Sequence, residues 1–98
     1  MIYTVTLRES AVQDLLNISH YIIYQLNNNL NAKKIINVIL SSIESLKIFP
    51  FRNRNLYKNI YSSKVENYKI YYIIEGNEVI IARIIYYKRN FNFYNLLN

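Results

Sequence analysis

The sequence predicts an α+β fold with two antiparallel helices packed on one face of a small antiparallel sheet. Three observations support this prediction: helical apolar spacing occurs twice in the first half, apolar residues alternate in the second half, and the only glycine separates two β-rich runs. The predicted order is β-α-α-β-β(-β), the bracketed strand being a short edge strand. With 98 residues, of which 52% are hydrophobic, the chain is expected to form a single domain over residues 1–98.

The first half of the chain is predicted to contain one strand and two helices. Residues 2–7 alternate apolar side chains with threonine, which is typical of a strand. Apolar residues between positions 11 and 26 recur every three or four residues, and the run Asn27-Asn28-Asn29 is expected to end this helix because asparagine favours turns. The second helix is expected to begin near a cap at Asn31 and to be stopped by Pro50.

The second half is predicted to form the rest of the sheet. Residues 51–63 are basic and rich in asparagine, and are expected to include the short edge strand. Residues 64–75 and 78–87 are predicted to form an antiparallel hairpin around a type II′ turn at Gly76-Asn77. The tail from Phe91 is too apolar to stay in water and is expected to pack as a short helix or strap.

Strand alternation predicts which hairpin side chains face the helices. Because the helices need an uncharged surface, we expect them to cover Tyr68, Ile70, Tyr72 and Ile74, together with Ile80, Ala82, Ile84 and Tyr86. The open face would then present Lys69, Tyr71, Arg83, Tyr87 and Arg89. Cations and aromatic rings together are typical of surfaces that bind single-stranded RNA, but an ordinary half-exposed sheet or a face covered by a partner has the same composition.

The excess of positive charge is confined to the second half of the chain. The formal net charge is +6 and the pI is about 9.6. Residues 1–46 contain three cations and three anions, whereas residues 47–98 contain nine cations and three anions. This asymmetry indicates an anionic partner, either nucleic acid or an acidic protein segment, or a charge bias that only maintains solubility.

Several classes of chemistry are excluded or disfavoured by composition. The absence of cysteine excludes disulfides and thiolate chemistry, and a single histidine argues against an imidazole metal site, so no metal or cofactor is expected. His20 is interpreted as a helix-surface residue, and Glu66 as a sheet or rim carboxylate, rather than as catalytic groups. The N-terminus has no signal-peptide pattern and no segment is apolar enough to cross a bilayer, so we expect a cytoplasmic protein without a membrane partner.

Four segments match the order and spacing of a known protein family. They are Ala11-x-x-Asp14-Leu15-x-x-Ile18-x-x-Tyr21-Ile22, Ser42-Ile43-x-Ser45-Leu46-x-x-Phe49-Pro50, Val65-x-Asn67-Tyr68-Lys69-Ile70-x-Tyr72, and Val79-x-Ile81-x-Arg83-Ile84-x-Tyr86-x-Lys88-Arg89-Asn90. Through them the chain resembles the RelE/ParE superfamily of toxins from type II toxin–antitoxin modules. The resemblance implies a small, basic, cytoplasmic toxin neutralised by a cognate antitoxin, with no small-molecule substrate.

The superfamily includes two mechanisms, and the resemblance leaves both open. RelE-like members cut mRNA in the ribosomal A site, whereas ParE-like members are described as poisoning DNA gyrase. A RelE-like activity implies catalytic roles for Lys69, Arg83, Tyr87 and Arg89, and nucleic-acid contacts for Lys64, Tyr71, Lys88 and Tyr94. By a slight margin we favour metal-independent, ribosome-dependent mRNA cleavage, with gyrase inhibition as the alternative and a non-toxic nucleic-acid-binding module as a third hypothesis.

Overall fold

The computed structural model describes residues 2–97 and contains a helical layer packed on a five-stranded sheet. The helices and strands follow one another as β1 (Thr4–Leu7), α1 (Glu9–His20), α2 (Asn29–Ser45), β2 (Arg54–Tyr57), β3 (Ile60–Val65), β4 (Tyr68–Glu75) and β5 (Glu78–Tyr86). A π-helical segment, Tyr21–Gln25, extends α1, and a 3-10 helix, Phe93–Leu97, forms the tail. The predicted fold class is confirmed, with one strand more than expected.

The sheet is mixed, with strand order β1-β5-β4-β3-β2. Strands β2 to β5 form an antiparallel meander, as predicted. Strand β1 pairs parallel with β5, from Thr4 opposite Glu78 to Leu7 opposite Ile81. The wholly antiparallel sheet that we expected is therefore corrected at this edge, because the helical layer and three strands separate β1 from β5 and no hairpin turn sets their direction.

The turn between the helices falls on the asparagine run, as predicted. Asn27 has a φ of +51°, and the side-chain oxygen of Asn28 accepts a hydrogen bond from the Asn31 N–H at 3.0 Å. The cap is therefore Asn28 and not Asn31; each asparagine in the run is an adequate cap by residue type, and only the position of the turn selects one. Within residues 2–97, no helix has both the length and the apolar character needed to cross a membrane.

The second helix ends earlier than predicted. It stops at Ser45, and the next residues form single turns in which the Lys47 and Ile48 N–H groups donate to carbonyls three residues back. Pro50 is buried in the loop that follows, so it excludes further helix without being the residue that ends it.

The predicted strand over residues 64–75 is divided by a turn. Lys64 and Val65 end β3, and Tyr68 begins β4. Glu66 takes a φ of +54° in the two-residue turn between them, a conformation that glycine ordinarily supplies. The sequence therefore lacked the usual signal there, whereas the Gly76-Asn77 turn, with a φ of +58° at Gly76, forms where predicted.

Both faces of the sheet are covered by apolar cores. The helical layer packs Ala11, Ile39, Ile43 and Leu46 against a buried set on the strands: Ile70, Tyr72, Ile74, Val79, Ile81 and Ile84. On the opposite face the tail packs over a second buried set, with Phe91, Phe93 and Leu96 contacting Ile60, Tyr71, Ile73, Ala82 and Ile85. The expected strap is thus confirmed, and it covers part of the face predicted to be open.

The prediction of which β5 side chains face the helices is wrong for the first half of the strand. Tyr71 pairs with Arg83 while Tyr72 pairs with Ile81, so Ala82 is an extra residue in a β-bulge. Before the bulge, Val79 and Ile81 face the helices, and Ala82 belongs to the core on the opposite face. One inserted residue moves every side chain on one side of the bulge to the other face of the sheet. The predicted faces are therefore correct for β4, which has no inserted residue, and for the β5 core residue Ile84 after the bulge.

Side chains of α1 form hydrogen bonds with backbone groups at the free edge of β5. Since β1 ends opposite Ile81, the next residues of β5 have no strand beside them. The Ser10 hydroxyl donates to the Ala82 carbonyl at 2.7 Å, and Asp14 Oδ2 accepts from the Ile84 N–H at 2.8 Å. Ser10 and Asp14 lie one helical turn apart, so one face of α1 supplies both bonds and fixes the bulge.

These cores bury Tyr71 and Tyr72 on β4 and partly bury Tyr68. Burial raises the pKa of Tyr68, Tyr71 and Tyr72 above the ordinary value of 10.0, and the nearby Tyr21 and Tyr86 add to the rise at Tyr68. The Tyr72 hydroxyl donates to the Pro50 carbonyl at 2.7 Å. All three hydroxyls therefore remain protonated in the folded protein at neutral pH.

We predict that the free energy of unfolding falls as the pH rises above about 10. A folded-state pKa above the unfolded value gives stability that is complete below the unfolded pKa and is lost as pH rises through the folded pKa. Tyr72→Phe should therefore show a shallower loss above about pH 10, and a cost of about 1–3 kcal/mol at neutral pH for the two hydrogen bonds that its hydroxyl makes with Pro50 and Asn53. Urea unfolding over a pH series measures both effects, and the exposed Tyr24→Phe is the control; equal slopes for native protein and Tyr72→Phe would contradict the prediction.

Candidate functional site

A cationic concavity of about 460 Å³ lies on the sheet face opposite the helices, beside the tail. Its cations come from three strands and the segment after β5: Arg54, Lys64, Lys69, Lys88 and Arg89. Ser62 and Tyr71 contribute from β3 and β4, and Phe91 and Phe93 contribute from the tail. None of its lining residues is acidic or a histidine, so its potential is positive throughout.

Two lysines face each other across this concavity. Lys64 on β3 is directly opposite Lys69 on β4 in the sheet register. Like charges in a direct cross-strand pair destabilise a sheet, and within residues 2–97 neither lysine has an acidic partner. A bound anion would remove this repulsion, so the pair favours binding of phosphate groups.

Tyr87 is held at the rim of the concavity by cations and by the backbone. The ammonium groups of Lys64 and Lys88 lie 4.7 and 5.6 Å from its ring centroid, within the range of cation–π attraction. Its N–H donates to the Asn67 carbonyl at 2.8 Å, which ties the end of β5 to the β3–β4 turn. The ring and the adjacent cations therefore have a defined relative position.

The floor of the concavity is aromatic and almost closed to water. Tyr71 is only 6% exposed, and the Phe91 ring lies 4.8 Å away, centroid to centroid. Because burial raises its pKa, the Tyr71 hydroxyl is available as a hydrogen-bond donor at neutral pH.

Arg83 lies outside the concavity, at the free edge of β5. Its guanidinium donates to the Asp14 carboxylate through Nε at 2.7 Å and through a terminal nitrogen at 3.1 Å. This hydrogen-bonded pairing raises the pKa of Arg83. The prediction that Arg83 points freely into one cluster with Lys69 and Arg89 is therefore corrected, because the bulge places it within reach of α1; its catalytic role stays a prediction.

The other predicted site residues are divided between two places. Lys69, Tyr87 and Arg89 come together in the concavity, as do Lys64, Tyr71 and Lys88. Tyr94 does not line it, and instead packs against Tyr57 at the edge of the sheet, with ring centroids 5.0 Å apart.

The sequence analysis missed six residues that line the concavity: Arg54, Leu56, Ser62, Asn90, Phe91 and Phe93. Arg54 and Ser62 belong to strands that the sequence did not resolve, although the basic character of residues 51–63 was a signal. Phe91 and Phe93 belong to the tail, whose apolar character predicted packing without showing which surface it packs on.

His20 and Glu66, which the sequence analysis interpreted as non-catalytic, do not line the concavity. His20 is exposed on α1 and packs edge-on against Tyr24, and Glu66 is exposed in its turn. Among residues 2–97, no group of three or more histidine or acidic side chains is placed to hold a metal ion.

A second, larger groove of about 650 Å³ lies between the helices and the end of the sheet. Its lining is mainly apolar and aromatic, including Tyr21, Leu26, Tyr68 and Tyr86. Its only carboxylate, Asp14, is already engaged by Arg83. The groove has the character of a protein-docking surface and not of a reaction site, and Arg89 lines both it and the concavity.

A sequence model of the family described as "ParE toxin of type II toxin-antitoxin system, parDE" matches residues 5–91. The chain belongs to this ParE toxin family. Among curated proteins, no sequence matches it.

Two solved structures share the fold. A chain of the chromosomal ParDE toxin–antitoxin system from P. aeruginosa is 20% identical with a TM-score of 0.74, and the match covers 87% of this chain and 96% of that chain. A chain of the toxin–antitoxin complex RelBE2 from Mycobacterium tuberculosis is 19% identical with a TM-score of 0.68, covering 88% and 99% respectively. The fold is thus common to proteins named for ParE and for RelE, and it does not choose between the two mechanisms.

We predict that Asp14→Ala lowers the free energy of unfolding by about 2–4 kcal/mol, because it leaves both Arg83 and the Ile84 N–H without a partner. Asp14→Asn should cost less, since its side-chain oxygen still accepts from Ile84. The control is Glu44→Ala, which breaks the exposed Lys47 ion pair of the same 2.7 Å length and should cost less than about 1 kcal/mol. Urea unfolding measures all three variants, and a cost for Asp14→Ala no greater than that of the control would refute the prediction.

Proposed function

We propose that this toxin arrests growth by cleaving messenger RNA bound in the cationic concavity on the ribosome. The observation on which the proposal rests is the grouping of cations, which form no ion pair within residues 2–97, with Tyr71 and Tyr87 in a concavity with no acidic lining residue. Such a surface binds the phosphate backbone through its cations and presents the partly exposed Tyr87 ring to an unstacked base, while the buried Tyr71 forms the floor.

The chemistry that this proposal requires is an in-line attack by a ribose 2′-hydroxyl on the adjacent phosphorus. The 2′ oxygen loses its proton and bonds to phosphorus, and the 5′ oxygen leaves with the bonding electron pair and takes up a proton. Lys69 and Arg89 would stabilise the negative charge that develops on the phosphorus oxygens. In the alternative assignment Lys69 accepts the 2′ proton and Arg89 alone stabilises the developing charge, and in either assignment Tyr87 supplies stacking or a proton.

Gyrase inhibition without nuclease activity is the second candidate. The match to the ParE toxin family supports it, and so does the lack of a histidine or carboxylate general base among the residues that line the concavity. Under this alternative the concavity and its cations contact a protein or DNA surface of the gyrase complex, and no RNA bond is broken.

We predict that the double variant Lys69→Ala/Arg89→Ala abolishes growth arrest when expressed in a bacterial host. Removing even one stabiliser of developing charge usually slows a reaction by about 10²–10³-fold, and the change also weakens phosphate binding. The matched control is Lys33→Ala/Lys34→Ala, which removes the same charge from exposed positions on α2 and should remain fully toxic.

Mapping transcript ends in arrested cells separates the two mechanisms. New 5′ ends within translated messages, absent in the double variant, are expected for mRNA cleavage. Intact messages together with accumulated DNA–gyrase cleavage complexes would reject RNA cleavage in favour of gyrase inhibition. Growth arrest by the double variant equal to that of the native toxin would exclude the concavity as the site of either action.

We also propose that the toxin is neutralised by a cognate antitoxin with an acidic, partly apolar segment. The two structural neighbours come from toxin–antitoxin systems. This chain offers an apolar groove with Arg89 on its lining, and its net charge of +6 complements an acidic partner.

We predict that co-expression with the product of the adjacent reading frame yields a stable complex and relieves growth arrest. Co-purification through size-exclusion chromatography in about 0.5 M salt tests whether apolar contacts contribute, since exposed ion pairs alone are screened under those conditions. The unrelated product of a more distant frame is the control, and failure of the adjacent product to co-elute or to protect would contradict the proposal.

A further inference from the structure

Three aromatic rings form a continuous row from the concavity to the outer edge of the sheet. Phe93 lines the concavity. The ring centroid of Tyr94 lies 4.6 Å from that of Phe93, and the ring centroid of Tyr57 lies 5.0 Å from that of Tyr94. The Lys58 ammonium group lies 5.3 Å from the Tyr57 ring centroid. We name Tyr57, Phe93, Tyr94 and Lys58 the aromatic shelf.

The outer part of the aromatic shelf is exposed to solvent. Tyr94 is 54% exposed and Tyr57 is 38% exposed, whereas the core beneath is closed by Phe91, Phe93 and Leu96. The two tyrosines are therefore not needed to complete the core, and neither hydroxyl forms a hydrogen bond within residues 2–97. Ring surface is left available to a flat, unsaturated ligand.

Two cations, Arg54 and Lys58, lie along the same path as the rings, from the concavity to the outer edge of the sheet. Arg54 lines the concavity and lies on β2, the edge strand that ends at Tyr57, and Lys58 follows directly in the turn. Within residues 2–97, neither cation forms an ion pair. Cations alternating with exposed rings are the pattern that tracks single-stranded nucleic acid, with phosphates on the cations and bases on the rings.

We propose that the aromatic shelf is a second subsite, which stacks a nucleobase of the RNA strand where the strand leaves the cationic concavity. This inference rests on the proposed RNA-binding function and extends it: the protein contacts RNA on both the concavity and the sheet edge. Because every nucleobase has a π face, the shelf adds affinity with little sequence preference.

The test uses the purified full chain and fluorescein-labelled 2′-O-methyl RNA of about eight nucleotides, which has no free 2′-hydroxyl to react. A second probe has the same phosphates but lacks the bases of the outer nucleotides on both sides. Fluorescence anisotropy should show the native protein binding the complete probe at least about fivefold more tightly than the partly abasic one. Equal affinity for the two probes would overturn the inference without using any variant.

Matched variants test whether the preference for the complete probe depends on the aromatic shelf. Tyr57→Ala/Tyr94→Ala should bind the two probes equally, while Tyr57→Phe/Tyr94→Phe, which keeps both rings, should retain the preference. Neither pair changes the charge, so the dependence of affinity on salt should stay the same. Tyr24→Ala, which removes an exposed ring from the helical side, is the control for loss of aromatic surface. A preference that survives in the alanine pair overturns the proposed location.

The outcome for the shelf is distinguishable from the outcome for the proposed function. If Lys69→Ala/Arg89→Ala weakens binding of both probes while the shelf variants change nothing, the concavity binds RNA and the shelf inference is wrong. If the native protein binds neither probe at physiological salt and about 10⁻⁴ M protein, the shelf inference is wrong, whereas the RNA function, which is proposed to act on the ribosome, is decided separately by mapping transcript ends.

Discussion

The hydrogen bonds between α1 and the free edge of β5 determine where the functional side chains lie. Ser10 and Asp14 bind the backbone on both sides of Arg83, so the bulge at Ala82 is stable although no strand lies beside it. An unpaired backbone group at this edge would cost about 1–3 kcal/mol if buried. Asp14 also holds Arg83 against α1, whereas cations such as Lys69 and Arg89 line the concavity on the opposite face of the sheet.

Arg83 contacts both α1, through Asp14, and Phe91 beside the floor of the concavity, but it does not line the concavity. Its guanidinium carbon lies 5.5 Å from the Phe91 ring centroid, and Phe91 packs on Tyr71. The paired arginine thus contributes to rigidity, whereas the unpaired cations remain free for an anion. The direct opposition of Lys64 and Lys69 is a local cost to the stability of the sheet.

Local patterns predicted most of the fold and much of the concavity. The helical stripes, the Gly76-Asn77 turn and the apolar tail are short-range features, and each formed at or near its predicted place. Lys69 and Arg89 were placed correctly because Lys69 lies on β4, where alternation is unbroken, and Arg89 follows the bulge in β5. Alternation failed for Ala82 because a bulge in the middle of a β-branched run leaves no residue signal.

The sequence by itself determined the element types, the excess of positive charge in the second half and the residues able to bind anions, because these follow from composition and short-range spacing. Only the tertiary structure decided which cations remain free. Asp14 and Arg83 are 69 residues apart, and their contact depends on how α1 crosses the sheet and where the extra residue of β5 falls. Such long-range geometry depends on packing of the whole chain, which local residue preferences do not specify.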